Sequence, residues 1–266
     1  MKEYFLDNEI CYHFSGFNPD RLTLIFIHGI PGSLSSWARY EDKFKEKYNI
    51  LSYDIRGHGK SKKFRNYKDY NIENFTEDLH KLIEHLGIKN FVIISHSFGV
   101  FISLGFISKY KDGIKGLVLL SPSFIGKEIS SIKKYERFLN VISKIKLPIF
   151  LNKKRRHIDY PVSVHGITRL KIAIDEIYNT GLQVYLYCIR QLSTLNFEKT
   201  LGNITSPVLL ISGRKDTLIQ TEQAIKMSEK IPNSKIVTIK DGDHLIGLNN
   251  FKELSTEIEN FLESIK

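Results

Sequence analysis

The residues best able to do chemistry in this 266-residue chain centre on one serine. Ser97 lies in the middle of Ser95-His96-Ser97-Phe98-Gly99, a small-x-Ser-x-Gly pattern directly behind the apolar run Phe91-Val92-Ile93-Ile94. A sharp strand-to-helix turn needs small residues two before and two after its central position, because the backbones crowd there. The central side chain then projects from the end of a strand at a helix N-terminus, where the dipole favours developing negative charge. A serine hydroxyl becomes a useful nucleophile when a histidine takes its proton and a carboxylate holds that histidine's tautomer. Two loops could supply them: Asp216, closing Ser212-Gly213-Arg214-Lys215-Asp216 after the apolar run 208–211, and His244 in Gly242-Asp243-His244, after the run 236–239. Each has a plainer reading on its own: Ser97 as a helix cap, Asp216 as a turn former, His244 as a solvated loop residue. Asp241 and Asp243 adjoin His244, but sequence neighbours rarely point at the same ring, which favours Asp216.

Two glycine-bearing segments follow earlier strands. His28-Gly29-Ile30-Pro31-Gly32 comes directly after the run 22–27, and Asp54-Ile55-Arg56-Gly57-His58-Gly59-Lys60-Ser61 after the run 50–53. The glycines of the second permit a tight loop, and its Asp–Arg pair can brace neighbouring loops. A phosphate-cradling loop is excluded there, since no Gly-Lys-Ser/Thr opens a helix at the required spacing.

These segments need a scaffold that ends several strands on one edge. The runs 22–27, 50–53, 91–94, 114–120, 208–211 and 236–239 have strand length, and the longer ones are continuously apolar, as in strands buried on both faces. Residues 3–14 alternate around Asp7-Asn8 and read as a hairpin. Helical periodicity fills most gaps: 74–86, with Phe75, Leu79, Leu82, Ile83 and Leu86 on one face, then 98–110, 221–231 and 251–265. Strands alternating with helices predict an α/β fold with a mainly parallel sheet flanked by helices. From 122 to 205 the alternation breaks, and helical patterns at 129–145 and 182–195 predict an inserted helical segment. The expected division is a core of residues 1–121 and 206–266 with an insertion at 122–205.

Composition sets limits. A hydrophobic share of 42% with 26% charged residues is that of a globular chain rather than a disordered one. The net charge of +10 is spread along the sequence, and its densest run, Lys153-Lys154-Arg155-Arg156, is short enough to be a solvated loop, so no nucleic-acid partner is expected. No stretch has the length of a membrane span, and the N-terminus carries no secretory pattern. With only Cys11 and Cys188, far apart, a cytoplasmic location with free thiols is expected. No Cys/His/carboxylate cluster has metal-ligand spacing, so neither metal nor organic cofactor is expected.

Taken together, the motifs resemble those of the α/β-hydrolase superfamily, in particular capped serine hydrolases of the carboxylesterase kind with His-Gly-x-Pro-Gly. The usual elbow there is Gly-x-Ser-x-Gly, so Ser95 and the bulky Val100 are departures that imply a more crowded turn. The chain order serine, acid, histidine matches Ser97, Asp216 and His244 as the catalytic set. The resemblance implies an oxyanion hole from the backbone N–H groups of Ile30 and Phe98, an architectural His28, and the Asp54–Ser61 segment as a fold marker. It also implies that the insertion is a lid over Ser97, with Phe138, Phe150, Tyr178, Tyr185 and Tyr187 lining a pocket or forming the lid's own core. His96 and His58 could line the site, while His13, His80, His85, His157 and His165 have no supporting context. The expected reaction is hydrolysis of a small-molecule ester, thioester or lactone through an acyl-enzyme, with no cofactor. An aminopeptidase-like or C–C bond hydrolase with the same triad is the alternative; the former needs an acid in the lid, for which Glu128, Glu136, Asp175 and Glu176 are available. A non-catalytic receptor on the same fold is the third reading. Dehalogenase and epoxide hydrolase chemistry is disfavoured, because the resemblance gives those enzymes an aspartate where this elbow has serine.

Overall fold

The computed structural model describes residues 1–130, 132–134 and 156–265. The chain opens with a hairpin of β1 (Glu3–Leu6) and β2 (Ile10–Phe14), whose turn residues Asp7 and Asn8 both have positive φ, 51° and 56°. That backbone matches the right-handed twist of the paired strands, which is why short polar residues occupy it. The remaining strands are β3 (Thr23–Ile27), β4 (Asn49–Tyr53), β5 (Phe91–His96), β6 (Ile114–Leu120), β7 (Val208–Gly213) and β8 (Ser234–Ile239). They form one eight-stranded sheet in the order β1-β2-β4-β3-β5-β6-β7-β8. Only the pairs made by β2 are antiparallel; from β4 to β8 every neighbour is parallel.

The helices on the sheet are α1 (Ala38–Phe44), α2 (Ile72–His85) and α3 (Phe98–Lys109), with further ones after β6. The strand period of two divides the interior into two layers. Ile25, Ile27, Leu51, Ile93, Leu117 and Leu119 face α2 and α3. Leu24, Phe26, Ile50, Val92, Ile94, Val118 and Leu120 face the opposite side. Helix α2 begins two residues earlier than its apolar period suggests, because the Asn71 side chain accepts a hydrogen bond from the Asn74 N–H and caps it. Helix α3 is buried on every side from Phe98 to Ile107, which its uniformly apolar sequence permits.

Between β6 and β7, α4 (Gly166–Thr180) and α5 (Leu182–Thr194) are followed by the single turn α6 (Glu198–Leu201). After β7 come α7 (Thr221–Lys230), α8 (Ile246–Asn249) and α9 (Phe251–Ser264). Most of the helical pattern at 129–145 lies outside the described residues, as do Phe138, Phe150, Glu136 and Lys153-Lys154-Arg155. No helix among the described residues is long and apolar enough to cross a membrane. Cys11 and Cys188 are both buried and free.

The Asp54–Ser61 segment braces its surroundings differently from the expected Asp–Arg pair. Asp54 Oδ1 accepts from the Leu34 N–H and Oδ2 from the Lys60 N–H, both at 2.8 Å. Arg56 turns instead to Asp78 on α2, donating through Nε and Nη2 at 2.7 and 2.6 Å, while Nη1 reaches the Asp69 carbonyl at 2.8 Å. The partner lies 22 residues away, beyond any local spacing rule. Removing one member of a buried, forked pair leaves the other charge without compensation. Arg56→Ala should therefore lower the unfolding free energy by about 3–5 kcal/mol, read from denaturant midpoints. A loss below about 1 kcal/mol would mean that the pair contributes no more than an exposed one.

Candidate active site

Strand β5 delivers Ser97 in a strained backbone conformation, φ 53° and ψ −113°, immediately before α3. Such a conformation persists only where the surroundings over-determine it. Here the determinant is contact with β3: a Cβ on Gly99 would lie 2.6 Å from the Ile27 carbonyl oxygen and 2.9 Å from that of His28. Only glycine fits. Ser95 is accommodated in place of the commoner glycine, and its Oγ lies 2.9 Å from Ser103 Oγ on α3.

Three side chains from three strand ends meet at this point. His244 Nε2 is 3.1 Å from Ser97 Oγ, and His244 Nδ1 is 2.9 Å from Asp216 Oδ2. The other oxygen of Asp216 accepts from the N–H groups of Leu218 and Ile219, each at 2.9 Å. Burial pushes the Asp216 carboxyl upward, but the bond and charge of His244 and these two amides outweigh it and hold it below the usual value. With Asp216 ionised, Nδ1 carries a proton and Nε2 presents a lone pair to the serine. The loops bearing Asp216 and His244 are set against each other by backbone contact, since a Cβ on Gly213 would lie 2.4 Å from the Gly242 carbonyl oxygen. The competing acids point elsewhere: Asp243 accepts from the Leu245 N–H and meets Arg169, and the exposed Asp241 pairs with Lys215.

Of the two expected oxyanion donors, Phe98 directly follows the serine and Ile30 lines the cavity. The Phe98 N–H opens α3, where no intrahelical acceptor exists. Ile30 follows Gly29, whose Cβ position lies 3.1 Å from the Ser97 Cβ. His28 is buried; its Nδ1 lies 2.8 Å from the Gly29 carbonyl oxygen and its Nε2 accepts from the Ile55 N–H at 3.1 Å, so its ring fixes the loop. Burial holds its pKa below the ordinary value, consistent with that neutral accepting role.

Beside His244 lies a cavity of about 250 Å³, lined also by His28, Ile30 and His96 and by Tyr160, Arg169, Ile172, Glu176 and Tyr185. His96 lines it and has a further contact: its Nε2 lies 2.8 Å from the His244 carbonyl oxygen, a donor to that backbone. Burial and the neighbouring His244 lower the His96 pKa to about 3. His58 does not line the cavity. It is fully buried beneath His28, where burial drives its pKa to about 3. Of the aromatics expected in the lid, Tyr185 reaches the cavity, Tyr187 packs on Tyr67 and Tyr70 in the core, and Tyr178 is exposed.

Sequence reasoning could not choose among the four acids of the inserted segment. Among the described ones, Glu176 is the acid at the cavity, 1% exposed, with Oε1 accepting from Tyr160 at 2.6 Å and from Ser33 at 3.0 Å. Its Oε2 has no hydrogen-bond partner among the described residues. Burial pushes this carboxyl up to about 7 despite the two hydroxyl donors. In the native state it therefore keeps its proton well above the ordinary 4.5, so stability should fall as pH rises from about 4.5 through about 7. Glu176→Gln should flatten that decline and leave the variant more stable than wild type above about pH 7, by up to about 3 kcal/mol. Parallel pH–denaturation curves for the two proteins would contradict this.

This α/β scaffold with a strand-end serine at an elbow places the chain in a class. Residues 23–156 match the alpha/beta hydrolase fold family, and the chain belongs to that family. Among its relatives is the uncharacterized hydrolase YugF of Bacillus subtilis, 23% identical over 99% of this chain and 98% of that one. Another is a bifunctional esterase/perhydrolase of Acinetobacter calcoaceticus, 24% identical over 92% and 93% of the respective chains. A bromoperoxidase structure from Bacillus anthracis superposes with a TM-score of 0.75 at 26% identity, covering 96% of this chain and 95% of that one.

Proposed function

We propose that the protein is a serine hydrolase that cleaves a small-molecule ester, thioester or lactone through an acyl-enzyme. The observation that carries this reading is the unbroken hydrogen-bonded series Ser97–His244–Asp216, at 3.1 and 2.9 Å, whose His244 lines an apolar-walled cavity. Ser97 Oγ attacks the carbonyl carbon as His244 Nε2 takes its proton, and the carbonyl oxygen becomes an oxyanion held by the Ile30 and Phe98 N–H groups. Collapse of the adduct expels the alcohol or thiol, which takes the proton back from His244. Water, deprotonated by the same nitrogen, then attacks the acyl-enzyme, releasing the acid and restoring Ser97. Serine at the elbow favours this chemistry over routes that require an aspartate nucleophile there. The inserted segment acts as a lid, and in its described part Tyr160, α4 and α5 line the cavity and set the size of the acyl group.

The test is a panel of p-nitrophenyl esters and lactones of graded size, run with fluorophosphonate labelling of the intact protein. Turnover with modification at Ser97 supports the reading. A receptor on the same fold would give neither burst nor steady turnover.

A second reading, with the same triad acting on an amide, is favoured by Glu176. Glu176 lines the same cavity as His244 with one unpartnered oxygen, and a substrate amine placed there would draw the proton off its carboxyl and pair with it. Amino-acid arylamides added to the panel distinguish the two, since only an aminopeptidase-like enzyme would prefer them to esters.

A further inference from the structure

Away from the cavity, the hairpin and the segment that enters α4 bring together three side chains without a shared task in hydrolysis. Glu3 and His13 are direct cross-strand partners in the β1–β2 register. His157 comes over them from the middle of the sequence, its ring centroid 6.0 Å from that of His13 and nearly perpendicular to it. One ligand-capable atom of each residue lies within 4.8 Å of the others. His157 Nδ1 is 3.6 Å from Glu3 Oε2, close to the ~3.3 Å between ligand atoms on a tetrahedral ion with bonds of ~2.0–2.1 Å.

The surroundings prepare both rings. His157 Nε2 donates to the buried Asp54 Oδ2 at 2.7 Å, which leaves Nδ1 facing Glu3. His13 Nδ1 lies 3.1 Å from both oxygens of Glu41, which in turn bonds Ser52 Oγ, leaving the Nε2 of His13 for an outward partner. A ligand histidine held by a carboxylate through its other nitrogen is the arrangement that fixes tautomer and ring orientation at metal sites. A second grouping, Cys11 with Asp54 and His157, is less suited. Asp54 already accepts from the backbone of Leu34 and Lys60, and burial pushes the Cys11 thiol far up, away from the thiolate a metal needs.

We propose that Glu3, His13 and His157 bind one divalent transition metal of the zinc class, with a water in the fourth position. Two imidazoles and a carboxylate select zinc-like ions over magnesium or calcium, which prefer oxygen alone. Glu3 Oε2 is also 2.6 Å from Lys60 Nζ, and a carboxylate with two oxygens can serve both or exchange one for the other. The ion would fasten the chain at His157, three residues before cavity-lining Tyr160, to the N-terminal hairpin. It is a structural clamp, separate from the serine chemistry.

The test uses the full chain stripped with a chelator and titrated calorimetrically with zinc, with cobalt as the spectroscopic probe. One ion per chain, tetrahedral cobalt bands and a raised melting temperature are expected. His13→Ala and His157→Ala should each abolish stoichiometric binding, while His85→Ala, on α2, should not. Glu41→Gln should weaken affinity about 10–100-fold without removing a ligand, an effect that adventitious surface binding would not show. Glu3→Gln, at a more exposed position, provides a ligand variant if either histidine variant fails to fold by circular dichroism. No stoichiometric binding by the wild type, or undiminished binding in the folded ligand variants, would overturn the proposal.

Discussion

Ser97→Ala should lower turnover of every substrate the wild type hydrolyses by about 10⁴–10⁶-fold, leaving whatever rate binding and the oxyanion donors supply. The substitution deletes one atom. Ser97 makes no side-chain capping bond to α3, so the helix loses nothing, and alanine meets the same backbone strain at φ 53° as serine does. The melting temperature should therefore stay within a few degrees of wild type, and a loss of activity cannot be assigned to unfolding. Titration with a fluorophosphonate gives the second measurement: labelling should vanish with the oxygen. Retention of wild-type turnover in a sample free of wild-type contamination would remove Ser97 from the chemistry and, with it, the proposed mechanism.

Asp216→Asn should cost about 10⁴-fold in kcat with little change in KM. The direction follows from how the carboxylate is held. Oδ1 is committed to the two amides of Leu218 and Ile219, so an asparagine keeps its oxygen there and turns its NH2 toward His244 Nδ1. Nδ1 must then accept, which moves the ring proton to Nε2, the atom that has to receive the proton of Ser97. The wrong tautomer blocks the first step while leaving the cavity unchanged. Since the blocked proton transfer needs a base, the residual rate should rise with hydroxide concentration more steeply than in wild type. If Asp243→Asn proved the crippling change and Asp216→Asn innocuous, the acid would have been misidentified.

Much of this arrangement is legible in the linear sequence because it is local. The elbow is written in five residues, although the contact that requires Gly99 comes from the neighbouring strand β3. The inner parallel strands announce themselves as apolar runs, since burial on both faces removes any need for alternation, whereas the edge strand β8 is largely exposed. Asp216 and His244 can be found because loops at the carboxyl ends of such strands are where side chains converge. What stays hidden depends on long-range packing. Nothing near Glu176 distinguishes it from Glu128 or Asp175; its place is set by Ser33, 143 residues away, and by Tyr160. Arg56 finds Asp78 on a helix rather than Asp54 in its own motif. His157, without context in the sequence, gains Asp54 across 103 residues. His58 differs again: its motif is legible, but its depth is decided by the fit of the Asp54–Ser61 loop beneath His28.

The contact between His96 and the backbone of His244 has a mechanical meaning. Ser97 rises from β5, in the interior of the sheet, whereas His244 follows β8, an edge strand, three places away. Sheets flex in twist, and edge strands detach before interior ones. Left to the sheet alone, the 3.1 Å between Ser97 and His244 would vary with every such excursion. His96 is the residue beside the nucleophile, and its bond to the His244 carbonyl works as a rivet from the interior to the edge. Because burial holds its pKa down at about 3, the His96 ring stays neutral and the rivet keeps the same donor. The loop that carries His244 is thus pinned by a ring that keeps a single charge state.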